Sequence, residues 1–249
     1  MNTEEIKQIL LDSKNVYIIP SQEPEVEVSA LALFYTLKEL GKNVNLIVEE
    51  LPENLKFLSP SLDYISYPKN FVVSIPNRIA GISQIYYEKS DSDLKIHLTL
   101  EKGGLKKDDI SFYFSEPKPD VIITLGVKDY EEQLKSKLNS FGFLLDSPII
   151  NIDSLTLADI NGQSNKNFGK INLIESTSLP EIILNLIKDF NDGFIKKEIA
   201  DCLLSGLIIH TENFKNSKIT AEIFEATGSL MKKGASLKEI VNNIYSQLI

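Results

Sequence analysis

Few side chains in this sequence combine a residue type and a position that could support chemistry. Glu23 and Glu25 lie in a turn between an apolar run and a helical pattern, Asp153 ends a second apolar run, and His210 follows a third. Carboxylates that converge at one place can bind a hard cation. The same residues also fit a simpler interpretation, in which the glutamates form a solvated acidic turn near a helix N-terminus and the histidine is a hydrogen-bonded structural residue.

Other kinds of catalytic site are not indicated. Cys202 is the single cysteine and lies in the apolar stretch IADCLLSGL, which is typical of a buried structural thiol and excludes an internal disulfide. His97 alternates with apolar residues in LKIHLTL, which favours a surface or cross-strand position. The sequence contains no Ser/His/Asp arrangement, phosphate-binding glycine loop or Cys/His zinc spacing.

Length and composition narrow the class of protein. The chain has 249 residues, of which 43% are hydrophobic, so it can bury a core and is not expected to be disordered. Lys and Arg number 26 against 35 Asp and Glu, a formal charge of -9, which excludes a generally basic surface for nucleic acid. The sequence contains no membrane-spanning run and no signal peptide pattern, which predicts a soluble cytoplasmic protein.

The first third of the chain predicts a βαβ unit. Residues 16 to 19 form a short apolar run, residues 26 to 40 carry apolar residues at helical spacing before Gly41 as the expected C-cap, and residues 43 to 48 read as the next strand. Because the crossover in such a unit is right-handed, both strands are expected to be parallel. The turn at residues 20 to 27 then lies at the carboxyl edge of the sheet, where ligands bind in this class of fold.

The middle of the chain changes from alternating strands and helices to hairpins and back. Residues 71 to 114 hold four short alternating runs with polar breaks, which predicts an antiparallel β insertion. Its aromatic residues could pack or form an exposed aromatic surface, as could those just before it; the positions concerned are 64, 67, 71, 86 and 87. Residues 120 to 126 and 148 to 153 are apolar strands typical of a sheet covered on both faces, with a helix predicted over 129 to 140.

The last part of the chain is predicted to be almost wholly helical. Candidate helices cover residues 179 to 190, 194 to 209, 219 to 233 and 236 to 248. We therefore expect a single α/β domain over residues 1 to 249. It would have a parallel or mixed central sheet of about five strands, helices on both faces, a β-hairpin insertion at about 71 to 114 and a helical C-terminal part at about 178 to 249.

Two segments in the first half of the chain resemble motifs of one enzyme family. VYIIPSQEPEVEVSALALFYTLKELGK is similar to a strand ending in His, followed by Pro-Asp-x-Asp-Ala-x-Gly-Ser and a helix. Aligned on Ser29, the segment has Ile19 in place of the His, and Glu23 and Glu25 in place of the two Asp residues. DVIITLG resembles a second strand that ends in a metal-bridging Asp, and here that position is Gly126.

Two later segments extend the resemblance over nearly the whole chain. PIINIDSLTLADINGQSNKNFGKINLI resembles the strand ending in Asp-His-His that names the DHH phosphoesterase family, with Asp153 retained and Ser154 and Leu155 in place of the histidines. ADCLLSGLIIHTENFKNSKITAEIFEATGSLMKKGAS resembles the family's Gly-Ile-x-x-Asp-Thr-x-x-Phe helix and turn, with His210 in place of the Asp. The chain resembles a degenerate member of this family, and a C-terminal substrate-binding domain is not expected after residue 249.

The resemblance implies which residues would form the remnant pocket. Intact family members hold two Mn²⁺ or Mg²⁺ ions on these Asp and His side chains and activate water against a phosphodiester. Gly126 supplies no bridging carboxylate, so no catalytic residue and no cofactor are expected in this chain. The alternative is a single weak Mn or Mg site, which would have to be built from Glu23, Glu25, Asp153 and His210.

Two functions of different classes follow from the resemblance. The first is a catalytically inactive homologue of the DHH phosphoesterases that acts through an unknown protein partner or by self-association, without a membrane. The second is a residual metal-dependent phosphodiesterase or nucleotide-binding protein acting on small nucleotides or short oligonucleotides. Nucleic acid or nucleotide is a partner only under this second hypothesis.

Overall fold

The computed structural model describes residues 2–48, 51–60, 70–115, 117–128, 130, 134, 147–155 and 166–245. The chain divides into two units, which we call the sheet unit (Met1–Ser66 and Lys118–Ile249) and the hairpin unit (Tyr67–Pro117). In chain order the elements are α1 (Asn2–Asp12), β1 (Asn15–Pro20), α2 (Pro24–Glu39), β2 (Asn43–Leu46), β3 (Asn70–Ser74), β4 (Ala80–Lys89), β5 (Leu94–Gly103), β6 (Ser111–Ser115), β7 (Val121–Leu125), β8 (Ile149–Ser154), β9 (Ile171–Glu175), α3 (Leu179–Asn191), α4 (Lys197–His210), α5 (Ala221–Lys232) and α6 (Leu237–Tyr245).

The sheet unit is built on five parallel strands in the order β2-β1-β7-β8-β9. The predicted α/β class, the central sheet and its approximate strand number are confirmed. The strands run in one direction, so the ends of β1, β7, β8 and β9 meet at one edge. The segments that follow Pro20, Leu125, Ser154 and Glu175 all start from that edge.

Both faces of this sheet are buried, which explains the near-continuous apolar strands. On one face, alternate side chains such as Val16 and Ile18 join the main core with the helices. On the other face, Tyr17, Ile19 and Ile122 form a second cluster with Val127 and Leu134. Most of the helix predicted over residues 129 to 140 falls outside the described residues.

The helix α2 lies at the centre of the main core. Proline at its first turn has no amide proton to lose, which suits the start of a helix. Every residue from Val26 to Leu37 is buried. The helix ends before Gly41, whose φ of +73° is the left-handed conformation that a C-cap glycine supplies, so the predicted cap is confirmed.

The C-terminal helices follow the predicted pattern closely. Predicted starts at 179, 194, 219 and 236 compare with observed starts at 179, 197, 221 and 237. The last residues of the fourth predicted helix, 246 to 248, lie outside the described residues. None of the helices described above combines the length and the apolar character that crossing a bilayer requires.

The hairpin unit consists of two antiparallel ladders, as the alternating sequence predicted. Strand β3 pairs with β6, and β4 pairs with β5 in a separate two-stranded sheet. Among the side chains described between residues 72 and 112, Ala80 is the one hydrophobic side chain that is buried. Of the aromatic positions in question, Tyr86 is 52% exposed and Tyr87 is 72% exposed. Residues 64 and 67 and the side chain of Phe71 lie outside the description.

Candidate functional site

A cavity of about 570 Å³ lies at the carboxyl edge of the parallel sheet, within the sheet unit. Seven of the eight positions predicted from the sequence line it: Glu23, Glu25, Gly126, Asp153, Ser154, Leu155 and His210. Ile19 is the exception, since its side chain is 1% exposed in the second core cluster and is not among the lining residues. Residues far apart in sequence meet here because parallel strands end at the same edge.

Asp153, at the end of β8, forms a buried ion pair with Lys166. The Lys166 Nζ atom lies 2.7 Å from Asp153 Oδ2, and both side chains are about 5% exposed. The same ammonium donates to the Ser154 carbonyl at 2.7 Å, and the Ser154 amide donates to Asp153 Oδ1 at 2.7 Å. This geometry gives the buried carboxylate a charged partner and a second donor, which is what burial of a charge requires.

The sheet itself fixes the position of Lys166. The Asn151 side-chain amide, buried in β8, donates to the Lys166 carbonyl at 2.8 Å. The amide oxygen of Asn151 in turn accepts a hydrogen bond from the Thr124 hydroxyl at 2.8 Å. Sequence reasoning missed this lysine, although it lies in the segment SNKNFGKI that resembles the family pattern, thirteen positions after the aspartate.

Glu25 and His210 form the second pair. Glu25 lies in the first turn of α2, and His210 is the last residue of α4, which packs against α2. The His210 Nδ1 atom is 3.0 Å from each carboxylate oxygen of Glu25. The His210 carbonyl accepts a hydrogen bond from Asn216 Nδ2 at 2.9 Å, so both the ring and the backbone of this histidine are held.

The turn after His210 has an unusual backbone. Glu212, Asn213 and Phe214 have φ values of 50°, 59° and 58°, a left-handed conformation that costs roughly 1–2 kcal/mol per residue for L-amino acids. The Thr211 hydroxyl stabilises the turn by donating to Leu207 O at 2.7 Å and accepting from the Phe214 amide at 3.1 Å. These bonds and the Asn216 bond therefore hold a strained turn beside the cavity.

Glu23 and Lys128 form the third and most exposed pair. Their side chains are 53% and 52% exposed, and Lys128 Nζ lies 2.5 Å from Glu23 Oε1. Glu23 is the N-cap residue of α2, where its backbone carbonyl accepts from the amides of Val26 and Glu27 at 2.9 Å. Because water screens an exposed pair, this contact adds little stability.

Gly126 leaves no room for a side chain at the position where the family motif has a bridging aspartate. Its φ is +61°, in the left-handed region that favours glycine. A Cβ atom added there would lie 2.7 Å from Val26 Cγ2 and 2.9 Å from Ser21 Oγ. A carboxylate here would therefore require both a strained backbone and a shift of the Val26 and Ser21 side chains.

Besides the apolar Val26, Leu179 and Ile223, the rest of the cavity wall carries polar side chains that were not predicted. Ser176, Thr177 and Ser178 follow β9, and Lys218, Thr220 and Glu222 lie at the start of α5. The residues after β9 could have been found from the sequence if residues 171 to 175 had been recognised as the fifth strand, since its end must meet the same edge.

Two of these polar groups are held by local hydrogen bonds. Ser178 and Glu181 form a capping box at the start of α3, with the hydroxyl donating to Glu181 Oε2 at 2.5 Å. Hydrogen bonds from its own backbone amide and from the Thr220 side chain hold the pKa of the Glu222 carboxyl below its ordinary value. Both carboxylates are thus engaged at helix N-termini.

The arrangement does not fit the metal ions that the resemblance implies. Hard dications need several oxygens directed at one point. Across the described parts of the chain, no group of three His, Cys, Asp or Glu side chains could hold an ion. Glu23, Glu25 and Asp153 are instead each engaged by a different basic side chain.

Comparison with known proteins shows similarity at the level of structure. No protein-family model matches the sequence, and no curated protein matches it. A crystal structure of an exopolyphosphatase-related protein from Bacteroides fragilis is similar to this chain, with a TM-score of 0.66 and 18% sequence identity. The similarity covers 98% of this chain and 60% of that protein's length. The two proteins therefore share the α/β fold built on the parallel sheet.

Proposed function

We propose that this protein is a catalytically inactive homologue of the DHH phosphoesterases that acts by protein interaction or assembly. The observation that carries the proposal is the pairing of carboxylates in the cavity. Asp153, Glu25 and Glu23, which stand at motif positions, are paired with Lys166, His210 and Lys128 of the same chain. Two of these partners are lysine ammonium groups and the third is an imidazole, and each lies where a metal ion bound to that carboxylate would have to come close.

The buried pair gives this argument most of its weight. An ammonium 2.7 Å from Asp153 Oδ2 occupies space beside that oxygen, and its positive charge repels a second cation. A metal ion could bind Asp153 only after Lys166 moved, which would leave the ammonium of a nearly fully buried lysine to find another partner. The chain's own geometry therefore competes with metal binding.

The retained scaffold supports a role that depends on the fold and not on catalysis. The strands that lead to the cavity are buried, and α2 packs in the main core along most of its length. Apart from Ile19, the residues that differ from the family motif line the cavity at the sheet edge, while most of the residues that build the sheet are apolar. A protein with an intact core and a neutralised site can still present surfaces to a partner.

A hydrolysis assay tests the inactive state. We expect no turnover of short oligonucleotides, cyclic dinucleotides or bisphosphorylated nucleotides with Mn²⁺ or Mg²⁺ above the rate of a buffer control. Matched variants are Glu25→Gln, which keeps the side-chain shape, and Glu23→Ala. Turnover by the parent protein that disappears in both variants would overturn the proposal, because it would show that these carboxylates perform catalysis.

The second candidate is a residual phosphodiesterase or nucleotide-binding protein, and the size of the cavity favours it. A volume of about 570 Å³ falls within the range of small-molecule sites. The hydroxyls of Ser176, Thr177 and Thr220, together with Lys218, are groups that can hydrogen-bond a nucleotide. Calorimetric titration with nucleoside monophosphates, with and without Mn²⁺, tests this candidate. It distinguishes nucleotide binding that needs no metal, nucleotide binding that needs Mn²⁺, and no binding.

A further inference from the structure

The three basic side chains that pair with carboxylates in the cavity differ in how firmly they are held. Lys128 is 52% exposed beside Glu23, and an exposed ammonium can turn from its partner into water. His210 contacts Glu25 through an imidazole, which is itself a common metal ligand. Lys166 is 5% exposed, and its partner carboxylate is 6% exposed. Of the three, Lys166 is therefore the one that cannot leave its partner by rotating into solvent.

The Lys166 ammonium lies between two oxygen atoms at the end of β8. It is 2.7 Å from Asp153 Oδ2 and donates to the Ser154 carbonyl at 2.7 Å. A carboxylate oxygen and a backbone carbonyl oxygen are also the kinds of ligand that hard divalent cations prefer. The ammonium therefore makes the contacts that a divalent cation at the end of this strand would need.

The backbone of Lys166 is fixed as well as its side chain. The buried Asn151 side chain donates to the Lys166 carbonyl at 2.8 Å, and its amide oxygen accepts from the Thr124 hydroxyl at 2.8 Å. A lysine that is attached to the sheet in this way keeps its ammonium close to Asp153. To leave, the ammonium would have to be buried without this partner or the segment would have to open locally.

Access and local charge do not explain why Asp153 would reject a cation from solvent. Asp153, Ser154 and Lys166 all line the cavity, so this end of β8 faces a space that an ion can enter. Among the described lining residues, five carry carboxylates and three are lysines. A wall with more carboxylates than ammonium groups attracts cations and does not repel them. The exclusion must therefore come from a contact at Asp153 itself.

We propose that Lys166 determines the exclusion of divalent cations from this cavity by acting as a cation that is built into the chain. This role rests on the proposed inactive function and identifies the side chain that maintains it. The replaced motif residues explain why few ligands are left. Lys166 explains why Asp153, the retained ligand of the family motif, does not bind a metal ion. Lys166 is a specificity-determining residue, since it contacts the carboxylate and takes no part in a reaction.

The affinity for Mn²⁺, measured on the full chain from the paramagnetic resonance of the free ion, tests the proposal. Lys166→Met keeps the length of the side chain and removes its charge, so it should bind Mn²⁺ about tenfold or more tightly than the parent, because a buried carboxylate is left unpaired. Adding Asp153→Asn should remove that gain. The matched control, Lys128→Met, removes an exposed lysine of the same cavity and should stay within about twofold of the parent.

The outcomes separate this proposal from the proposed function. No gain in Lys166→Met, an equal gain in Lys128→Met, or a gain that survives Asp153→Asn would overturn the role of Lys166 and leave the inactive function standing. Tight Mn²⁺ binding by the parent that is lost in Glu25→Gln would overturn the inactive function instead.

A measurement on the parent protein keeps the test valid if Lys166→Met does not fold. The ammonium group of a buried, hydrogen-bonded lysine exchanges its protons slowly and can be observed by nuclear magnetic resonance in ¹⁵N-labelled protein. The Lys166 signal is identified as the one that is missing in Lys166→Arg, which keeps the positive charge. We expect millimolar Mg²⁺ to leave this signal as it is in KCl of equal ionic strength. A shift or loss of the signal that is specific to Mg²⁺ would show that the ion displaces the ammonium, contrary to the proposal.

Discussion

The cavity and the β4–β5 hairpin differ in how far the chain provides partners for its own side chains. The cavity contains buried and half-buried charges, yet Asp153, Glu25 and Glu23 each have a basic partner within the same chain. The hairpin contains an apolar face that the described residues around it leave exposed. The difference is that the carboxylates of the cavity have partners within the chain, whereas the apolar side of the hairpin has no cover among the described residues.

Hydrogen exchange should show the largest contrast between the two regions. In dilute protein, amides of β4 and β5 should exchange through openings that cost about 0–2 kcal/mol, because little apolar area stabilises the ladder. Amides of β1 and β7 should require nearly full unfolding, on the order of 5 kcal/mol or more. If β4 and β5 were protected as strongly as the central strands in dilute protein, the hairpin would not be locally less stable than the sheet, contrary to this prediction.

Replacing Lys166 by Met should produce the largest effect of a single substitution in the cavity. It leaves the buried Asp153 carboxylate without its charged partner, a change that typically costs about 3–5 kcal/mol of unfolding free energy. Urea unfolding measures the loss. Lys166→Met with Asp153→Asn removes both charges and should recover part of the stability. A loss below about 1 kcal/mol would mean that the pair is not buried as described.

Gly126→Ala should also destabilise the protein, by an amount whose expected range extends below that of Lys166→Met. The left-handed backbone costs roughly 1–2 kcal/mol for alanine, and crowding against Val26 adds about 1–3 kcal/mol. Gly228→Ala is the matched control, since an added Cβ meets nothing within 4 Å in the helix α5. That variant should gain roughly 0.5–1 kcal/mol. Denaturant midpoints of the two variants should therefore shift in opposite directions, and a shift in the same direction would refute the packing argument.

Lys128→Met should have the smallest effect. Its pair with Glu23 is about half exposed, and exposed pairs contribute about 0–1 kcal/mol. Added salt should reduce the difference from the parent further, because water and ions screen exposed charges. A loss as large as that of Lys166→Met would show that the difference in burial does not determine how much each ion pair contributes to stability.

Much of the fold could be predicted because its causes are local. Apolar runs such as residues 121 to 125 and the helical spacing before Gly41 depend on neighbouring residues alone. The gathering of Glu23, Gly126 and Asp153 around one cavity followed from parallel strands that end at a common edge.

The partners of the site residues could not be predicted because they depend on tertiary placement. Lys166 reaches Asp153 through a backbone position that Asn151 fixes, and no short-range pattern encodes that contact. The positive φ of Gly126 and the closeness of Val26 are likewise products of packing. The hairpin sequence predicted an alternating strand, but its alternation does not say what covers the apolar side.

The response of unfolding free energy to Mn²⁺ tests the central claim most directly. An ion that binds the native state alone, at 100 times its Kd, raises stability by about 2.7 kcal/mol. Because the cavity carboxylates already have partners, we predict no change in the urea midpoint of the parent protein between metal-free buffer and millimolar Mn²⁺. A Mn²⁺-dependent increase in stability that is lost in Glu25→Gln would contradict the account, since it would show that these carboxylates still bind the metal.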